Sequence, residues 1–416
     1  MRKFLSFLGT GKYDPVYYSM DGKLSSETGF VQRALLELWQ KQNEIPDRVI
    51  IFVTDQAYKE YWEKLRAELE VLGVTPEDVR ISGVGREDAL WADFGIILDC
   101  LDKGDEIDFD ITYSFRYQPI LAMLVIHLAR VVKEIRIRGI YYGNYVERVN
   151  GVAPILNLIN FVDMQDWITN VYAFVKSGRA ESLSKWVKEK KDMMARKKQS
   201  SPPPRVIVAE RLANKWNQLA ENLQTCRGLE ISRSAKEALA ALQQVRKEEP
   251  YPAFNPLYAL FDGVEGRLKK MAAGDHIEEG LETVQWCLKH GLIQQAYTFL
   301  RETVITTFCL TEGYDYRNKD EREELNELIR DTIKVIQGRS SLDNFQEEQQ
   351  NVMRRLMEHA ELLMAFQRVS DLRNDINHAG YRENYSKSDK FLEGLKRDYP
   401  IIAYHLRQLR QKVKQV

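Results

Sequence analysis

The first 160 residues alternate between two hydrophobic periods. Short runs rich in Val, Ile, Phe and Leu are typical of buried strands, and apolar positions three and four apart predict helices between them. The strand runs lie at 3–8, 48–54, 79–84, 106–112, 134–141 and 154–161. The helical runs lie at 30–42, 56–72, 88–101 and 118–132. This alternation predicts an α/β unit with a Rossmann-like, doubly wound parallel sheet and right-handed crossovers.

The pattern becomes helical almost throughout from residue 163 onward, which predicts an all-α region after the α/β unit. A Ser-Ser-Pro-Pro-Pro run at 200–204 is the clearest break in the helical pattern. We therefore expect three segments: an α/β domain at 1–163, a helical linker at 164–205 and an all-helical domain at 206–416.

Composition limits the class of protein. A chain of 416 residues with 44% hydrophobic content can bury sizeable cores, so a disordered protein is excluded. The net charge of −1 excludes a globally basic nucleic-acid binder but leaves room for a local basic groove. The four cysteines form no CxxC pair, so neither a disulfide framework nor a zinc site is expected. The same cysteine usage makes a reducing cytoplasm the expected compartment. No run approaches 18 apolar residues, so no membrane span is expected.

Two polar loops follow predicted strands that should be neighbours. The first, at 9–14, has two glycines that let the backbone approach a ligand, and the second, at 112–118, carries hydroxyls, an aromatic ring, a guanidinium and an amide. In a sheet ordered 3-2-1-4-5, the first and fourth strands are adjacent and ligands bind above their carboxyl ends. We therefore expect both loops to line one crevice suited to phosphates and stacked bases.

The first loop does not match the common nucleotide-binding fingerprints. Asp14 occupies the third glycine position of the dinucleotide motif, and the chain contains no GxxxxGK[ST] sequence. An NAD-dependent enzyme is therefore set aside.

The segment Arg373-Asn374-Asp375-Ile376-Asn377-His378 carries the chemistry needed to cleave RNA without a metal. Histidine can transfer protons when a ribose 2′-OH attacks the adjacent phosphate, and arginine can stabilise the charge on that phosphate. A second pair of the same spacing, Arg354 and His359, falls in a run at 347–367 that reads as one continuous amphipathic helix. We interpret that second pair as a solvated helix face.

The spacing of Arg373 and His378 favours a dimer. Residues five apart on an ideal helix differ by about 140° in direction, so the two side chains do not share a face. Two copies around a two-fold axis can supply Arg and His from both chains to one scissile phosphate.

Taken in order, the first loop, the end of the fourth strand and the Arg373…His378 motif resemble type III CRISPR-associated CARF–HEPN ribonucleases of the Csx/Csm type. The resemblance extends over essentially the whole chain, although no motif matches in the middle of it. It implies an N-terminal CARF domain that binds a cyclic oligoadenylate across a homodimer, with cyclic tetra-adenylate as the expected activator. It also implies a C-terminal HEPN domain that cleaves single-stranded RNA, with no cofactor or metal, in a homodimer or a higher oligomer.

Residue roles follow from the resemblance. Arg373 and His378 become the catalytic pair, with Asn374 as a supporting polar residue. The expected contacts to the cyclic oligoadenylate are Gly9, Thr10, Gly11, Lys12, Thr112, Ser114, Phe115, Arg116 and Gln118.

Two alternatives stay open. The chain could be a nucleotide-sensing CARF regulator without nuclease activity, whose helical domain recruits a protein or DNA. The sensor domain could also degrade its cyclic ligand as a ring nuclease, because the same hydroxyls and Lys12 would serve both binding and cleavage.

Overall fold

A computed structural model describes residues 1–83, 86–114, 116–196, 204–247, 258–381 and 383–413. The chain divides into two compact units, Met1–Gln165 and Asp166–Val416. The first unit combines a sheet with helices, and the second is helical over its described residues. This confirms the predicted fold class of an α/β unit followed by a helical region.

The first unit is built on one sheet with helices on both faces. Its strands are β1 (Arg2–Leu8), β2 (Tyr17–Met20), β3 (Lys23–Leu24), β4 (Arg48–Val53), β5 (Glu77–Arg80), β6 (Glu106–Asp110), β7 (Arg136–Gly143) and β8 (Val152–Asn157). Its helices are α1 (Val31–Gln40), α2 (Asp55–Ala57), α3 (Glu63–Glu70), α4 (Glu87–Asp99) and α5 (Gln118–Val132), with a π-helical turn at Tyr58–Trp62. Phe4 and Leu8 pack in one core and Leu5 and Phe7 in another, because successive side chains of β1 point to opposite faces.

The strand order is β3-β2-β8-β7-β6-β1-β4-β5. Its five parallel strands, β5-β4-β1-β6-β7, follow the predicted order 3-2-1-4-5. In the register, Ser6 of β1 lies opposite Asp110 of β6, so the carboxyl ends of these two strands lie side by side. The predicted neighbourhood of the two polar loops is therefore confirmed.

The sheet also contains antiparallel pairs beside the five parallel strands, which the sequence pattern did not predict. β8 runs antiparallel to β7, since the short connection between them cannot hold a crossover helix. β2 and β3 form an antiparallel hairpin around Asp21 and Gly22, which have φ angles of 51° and 74°. An Asp-Gly turn of this kind is a hairpin signal that the hydrophobic pattern alone does not show.

The second unit is a stack of helices. A helix that begins at the end of the first unit, α6 (Ile159–Ser177), leads into α7 (Glu181–Arg196), α8 (Pro204–Gln224), α9 (Gly228–Lys247), α10 (Tyr258–Met271), α11 (His276–Lys289), α12 (Ile293–Glu312), α13 (Lys319–Ile336), α14 (Glu347–Met357), α15 (Ala360–Asn377) and α16 (Ser388–Val413). One hydrophobic core runs through these helices, from Trp167 to Leu409. Helix α12 packs against α11, α13, α15 and α16, so it lies at the centre of the C-terminal half.

The predicted linker segment, 164–205, contributes to this core. Phe174 of α6 is fully buried and stacks on Trp216 of α8 with ring centroids 4.4 Å apart. The Ser-Ser-Pro-Pro-Pro break lies outside the described residues, apart from Pro204, which begins α8. The limits 1–163, 164–205 and 206–416 stay predictions.

The continuous helix expected at 347–367 is interrupted. α14 ends at Met357, and His359 precedes α15 with φ −112° and ψ 36°. Each helix has apolar residues at helical spacing, and neither Gly nor Pro lies between the two, so the sequence pattern does not show the break. Arg354 therefore lies in α14 and His359 lies between the two helices, and Arg354 contacts Asn351 and Gln350 of its own helix.

A substitution in α6 tests whether this helix is part of the helical core. Phe174→Ala should lower the free energy of unfolding by about 3–5 kcal/mol, because it removes a large buried ring from a packed site. Tyr172→Ala, on the exposed side of the same helix, should change it by less than about 0.5 kcal/mol. Denaturant unfolding followed by tryptophan fluorescence measures both, and equal effects would show that α6 is not part of the core.

Candidate functional site

The first candidate site is the pair of loops at the carboxyl ends of β1 and β6, where the sequence predicts a crevice. Gly9 approaches the second loop so closely that a Cβ at this position would lie 2.7 Å from the carbonyl oxygen of Tyr113. Gly9 and Thr10 are half-buried, whereas Gly11 and Lys12 are exposed. The first loop thus exposes its backbone and an ammonium group to solvent at the end of β1.

The second loop contributes both supporting and exposed groups. Thr112 and Ser114 are half-buried, Arg116 is exposed, and Gln118 is buried at the first position of α5. Ser114 Oγ donates a hydrogen bond to the carbonyl of Ile111 at 2.7 Å, so its hydroxyl shapes the loop. Phe115, also predicted to contact the ligand, lies outside the described residues.

A buried carboxylate connects three strand ends beneath these loops. Asp110 is fully buried and accepts hydrogen bonds from Ser6 Oγ at 2.7 Å and from the Thr112 backbone N–H at 3.1 Å. The Thr112 hydroxyl also donates to Asp110 and accepts from the Gly143 backbone N–H at 2.8 Å. Burial raises the pKa of Asp110 to about 6, although these hydrogen bonds oppose the shift.

Aromatic rings support the crevice from below. The ring centroid of Tyr13 lies 4.4 Å from that of Tyr113 and 4.7 Å from that of Phe30. Tyr13 Oη donates to the carbonyl of Gly9 at 2.9 Å, and Tyr113 Oη donates to the carbonyl of Gly29 at 2.7 Å. Burial raises the pKa of both phenols, so they stay neutral donors. The sequence alone did not assign these tyrosines to the site. Each predicted loop contains one of them, and this shared aromatic residue could have indicated their role.

The second candidate site is the C-terminal end of α15. Arg373 is half-buried, and Asn374 and His378 are exposed. His378 caps the helix, and its backbone N–H donates to the carbonyl of Asn374 at 3.0 Å. The side-chain amide of Asn377 is oriented with its oxygen toward Arg373. This oxygen accepts hydrogen bonds from Arg373 Nε at 3.2 Å and from Arg373 Nη1 at 3.0 Å. The helix end thus presents an anchored guanidinium and an exposed imidazole.

Asp375 is the buried member of this motif. It is 5% exposed, and its Oδ2 accepts a hydrogen bond from the backbone N–H of Ser386 at 2.6 Å. The carboxylate therefore fixes the chain after the helix to the motif itself. Sequence reasoning gave Asp375 no role, because its partner lies beyond a turn that no periodicity reports.

Neither a metal cluster nor a membrane span is found in the part of the chain that the structure describes. No three His, Cys, Asp or Glu side chains there are grouped to hold a metal ion. None of the helices there combines the length and apolar character that crossing a membrane requires.

Two family models match this chain. The model described as the CARF domain of CRISPR system endoribonuclease Csx1 matches residues 3–145. The model described as the second domain of CRISPR-associated protein MJ1674 matches residues 163–277. The first match identifies a CARF domain of the Csx1 type in the N-terminal unit. The Arg373–His378 segment lies outside both matches.

A curated relative supports the connection to CRISPR-associated proteins. The CRISPR-associated protein MJ1674 of Methanocaldococcus jannaschii is 32% identical over 117 residues, which are 27% of this chain. The chain spans only 18% of the length of that relative. The similarity therefore supports homology over one segment.

The pKa of Asp110 predicts a pH-dependent stability. Because its pKa is raised from 3.8 to about 6 in the folded state, Asp110 favours folding at low pH, and this contribution is lost as pH rises between these values. Asp110→Asn removes the titration. The stability of the wild type relative to this variant should therefore fall by roughly 2 kcal/mol between pH 4 and pH 6.5. Denaturant unfolding at each pH measures the difference, and parallel pH profiles would contradict the buried-carboxylate interpretation.

Proposed function

We propose that this protein is a CRISPR accessory endoribonuclease. Its CARF unit binds a cyclic oligoadenylate, and its helical unit, acting as a HEPN domain, then cleaves single-stranded RNA without a metal ion. The observation that carries the proposal is the end of α15, where an anchored guanidinium and an exposed imidazole accompany a CARF domain in one chain. The protein acts in the cytoplasm as a homodimer.

The cleavage chemistry uses groups that the helix end presents. A base removes the proton from the ribose 2′-OH, the 2′-oxygen bonds to phosphorus, and the bond from phosphorus to the 5′-oxygen breaks. An acid protonates the departing 5′-oxygen, so the products are a 2′,3′-cyclic phosphate and a 5′-hydroxyl. His378 transfers these protons, and Arg373 stabilises the charge on the phosphorane.

One copy of the motif supplies only one imidazole. The reaction needs a base on one side of the phosphorus and an acid on the other, so His378 from each of two chains completes the site. The exposure of His378 at a helix end suits such an approach, because a second helix end can face it across a two-fold axis.

The CARF unit offers a surface of its own for two-fold pairing. Helix α5 exposes Ile120, Leu124 and Val131, a set of large apolar side chains on one side of the helix. This helix begins at Gln118, directly after the loop that carries Arg116. If α5 pairs with α5 of a second chain, the loop that carries Arg116 in each chain comes close to its copy. The two loops can then bind one symmetric cyclic oligoadenylate together.

The charged groups at the crevice suit a ring of phosphates. Lys12 and Arg116 are both exposed after the ends of β1 and β6, where their charged groups can bind phosphate oxygens. The network under the loops, from Ser6 to Gly143, holds the two strand ends in place. Ligand binding can then shift an equilibrium between two dimer geometries and activate the helical unit.

The catalytic roles are tested by substitution. His378→Ala should reduce RNA cleavage by about 10²–10⁴-fold, because it removes the proton-transfer group. Arg373→Ala should reduce it by about 10²–10³-fold, because the phosphorane loses its cation. Gel assays with activator and EDTA measure both rates and the 2′,3′-cyclic phosphate end.

His359→Ala is the matched control, since His359 has an arginine at the same spacing but lies between α14 and α15. It should leave cleavage nearly unchanged. Complete loss of wild-type cleavage in EDTA, or products that end in a 3′-hydroxyl, would refute the mechanism.

The sensor roles are tested separately. Lys12→Ala and Arg116→Ala should each weaken binding of cyclic tetra-adenylate by about 1.5–3 kcal/mol, because each removes a charge-assisted hydrogen bond to phosphate. Basal cleavage at high enzyme concentration should stay the same. Lys103→Ala is the control, because this exposed lysine precedes β6 at the opposite end of the sheet. Unchanged calorimetric affinity in both test variants would show that the ligand binds elsewhere.

A further inference from the structure

A groove of about 580 Å³ lies beside the Arg373…His378 motif. Three elements form it: the last turn of α15 with the residues after it, the first residues of α12, and the start of α16 with the loop before it. Its lining side chains are mainly apolar or aromatic, with a few polar groups: Ile293, Gln294, Ile376, Tyr385, Ser386 and Phe391. The volume lies in the range of pockets that bind small organic groups.

The backbone after His378 makes this groove possible. Ala379 and Gly380 have φ angles of 53° and 74°, so the chain reverses direction immediately after the helix. Tyr385 then returns against the turn, where a Cβ on Gly380 would lie 3.9 Å from the Tyr385 Cβ. The hydrogen bond from the Ser386 N–H to Asp375, 2.6 Å long, holds the returning segment in place.

The far wall is also fixed. Tyr297 donates a hydrogen bond from its hydroxyl to the carbonyl of Phe391 at 2.8 Å, and the two rings meet edge to face with centroids 6.3 Å apart. Both walls are therefore in place before any ligand binds, which lowers the entropy cost of binding.

Tyr385 leaves much of its ring uncovered. It is 61% exposed, although it contributes to an apolar groove. Proteins that bind single-stranded RNA commonly combine exposed aromatic rings, on which bases stack, with cations that bind the phosphate backbone. The groove begins at Ala379 and Gly380, directly after the proposed proton-transfer residue.

We infer that this groove binds the base of the nucleotide whose 2′-OH attacks, with Tyr385 as its stacking platform. Holding that base fixes the ribose beside His378, and cleavage requires the 2′-oxygen to be in line with the departing 5′-oxygen. Tyr385 is thus a positioning residue for the RNA. The inference rests on the proposed ribonuclease function and adds the subsite that holds the reacting nucleotide.

A double-mutant cycle tests the inference by comparing four RNA affinities: those of the wild type and of Tyr385→Ala, each for an RNA with and without the base at the cleavage position. The full chain and its Tyr385→Ala variant are titrated, by fluorescence anisotropy, with a labelled single-stranded RNA that carries one 2′-deoxynucleotide at the mapped cleavage position. The same titration is repeated with an abasic deoxyribose at that position. Neither RNA can be cut there, because the attacking hydroxyl is missing.

Removing the base should weaken binding to the wild type by about 5- to 150-fold, the range that stacking on one aromatic ring provides. The same removal should change binding to the Tyr385→Ala variant by less than about 2-fold, because the stacking partner is already gone. Tyr385→Phe should retain the wild-type response, since stacking needs the ring and not the hydroxyl.

Tyr404→Ala is the matched control. Tyr404 is 62% exposed on α16 and does not line the groove, so its removal should leave the base penalty at the wild-type value. An equal base penalty in the wild type and in Tyr385→Ala would overturn the inference. So would a penalty that appears only when the base on the 3′ side of the cleavage position is removed.

Sedimentation of the Tyr385→Ala variant distinguishes a groove that binds RNA from a groove that binds a second copy of the chain. If this variant loses the dimer while the base penalty persists, the groove holds a second copy of the chain and the inference is wrong. If the wild type neither binds nor cuts RNA with any cyclic oligoadenylate, the proposed function itself fails. If it cuts RNA but Tyr385→Ala behaves like Tyr404→Ala, only the subsite fails.

Discussion

The backbone reversal at Ala379 and Gly380 is the constraint on which the proposed catalytic end of the molecule depends. A non-glycine residue in the left-handed region costs about 1–2 kcal/mol, which the surrounding contacts must offset. Asp375 provides one of them, by accepting the Ser386 N–H on the far side of the turn. Because the helix ends here, His378 is exposed as a cap, and the returning chain builds a groove beside it.

The CARF unit uses the same kind of arrangement at its crevice. A buried carboxylate, Asp110, holds strand ends that come from distant parts of the chain, and the Thr112 hydroxyl extends the network to Gly143. The groups proposed to meet ligand, Lys12 and Arg116, are carried above this fixed base. In both units a buried acid fixes the backbone beside the groups proposed to act: the exposed Lys12 and Arg116 in one, and the half-buried Arg373 with the exposed His378 in the other.

Much of the fold follows from local sequence patterns. The apolar runs and the helical periods give the parallel strands in their correct order, and the predicted helix at 118–132 has the bounds of α5. The pattern fails where an element is too short or where no breaker residue separates two helices. The hairpin of β2 and β3 contains only four and two residues, and neither Gly nor Pro marks the break between α14 and α15.

The candidate sites divide in the same way. The motif from Arg373 to His378 is visible because six adjacent residues contain its chemistry. The support for both sites is not visible, since Ser6 and Asp110 meet across 104 residues and Asp375 meets Ser386 across a turn. Contacts of this kind depend on tertiary structure, and no local period or propensity indicates them.

The most direct measurement is cleavage of a fluorescent single-stranded RNA by the purified chain, with cyclic tri-, tetra- or hexa-adenylate added separately. Coupling between the CARF unit and the helical unit predicts strong stimulation by one ring size, with cyclic tetra-adenylate expected, and little cleavage without it. RNA that stays intact with every ring, or that is cut equally well with and without them, would contradict the proposed activation.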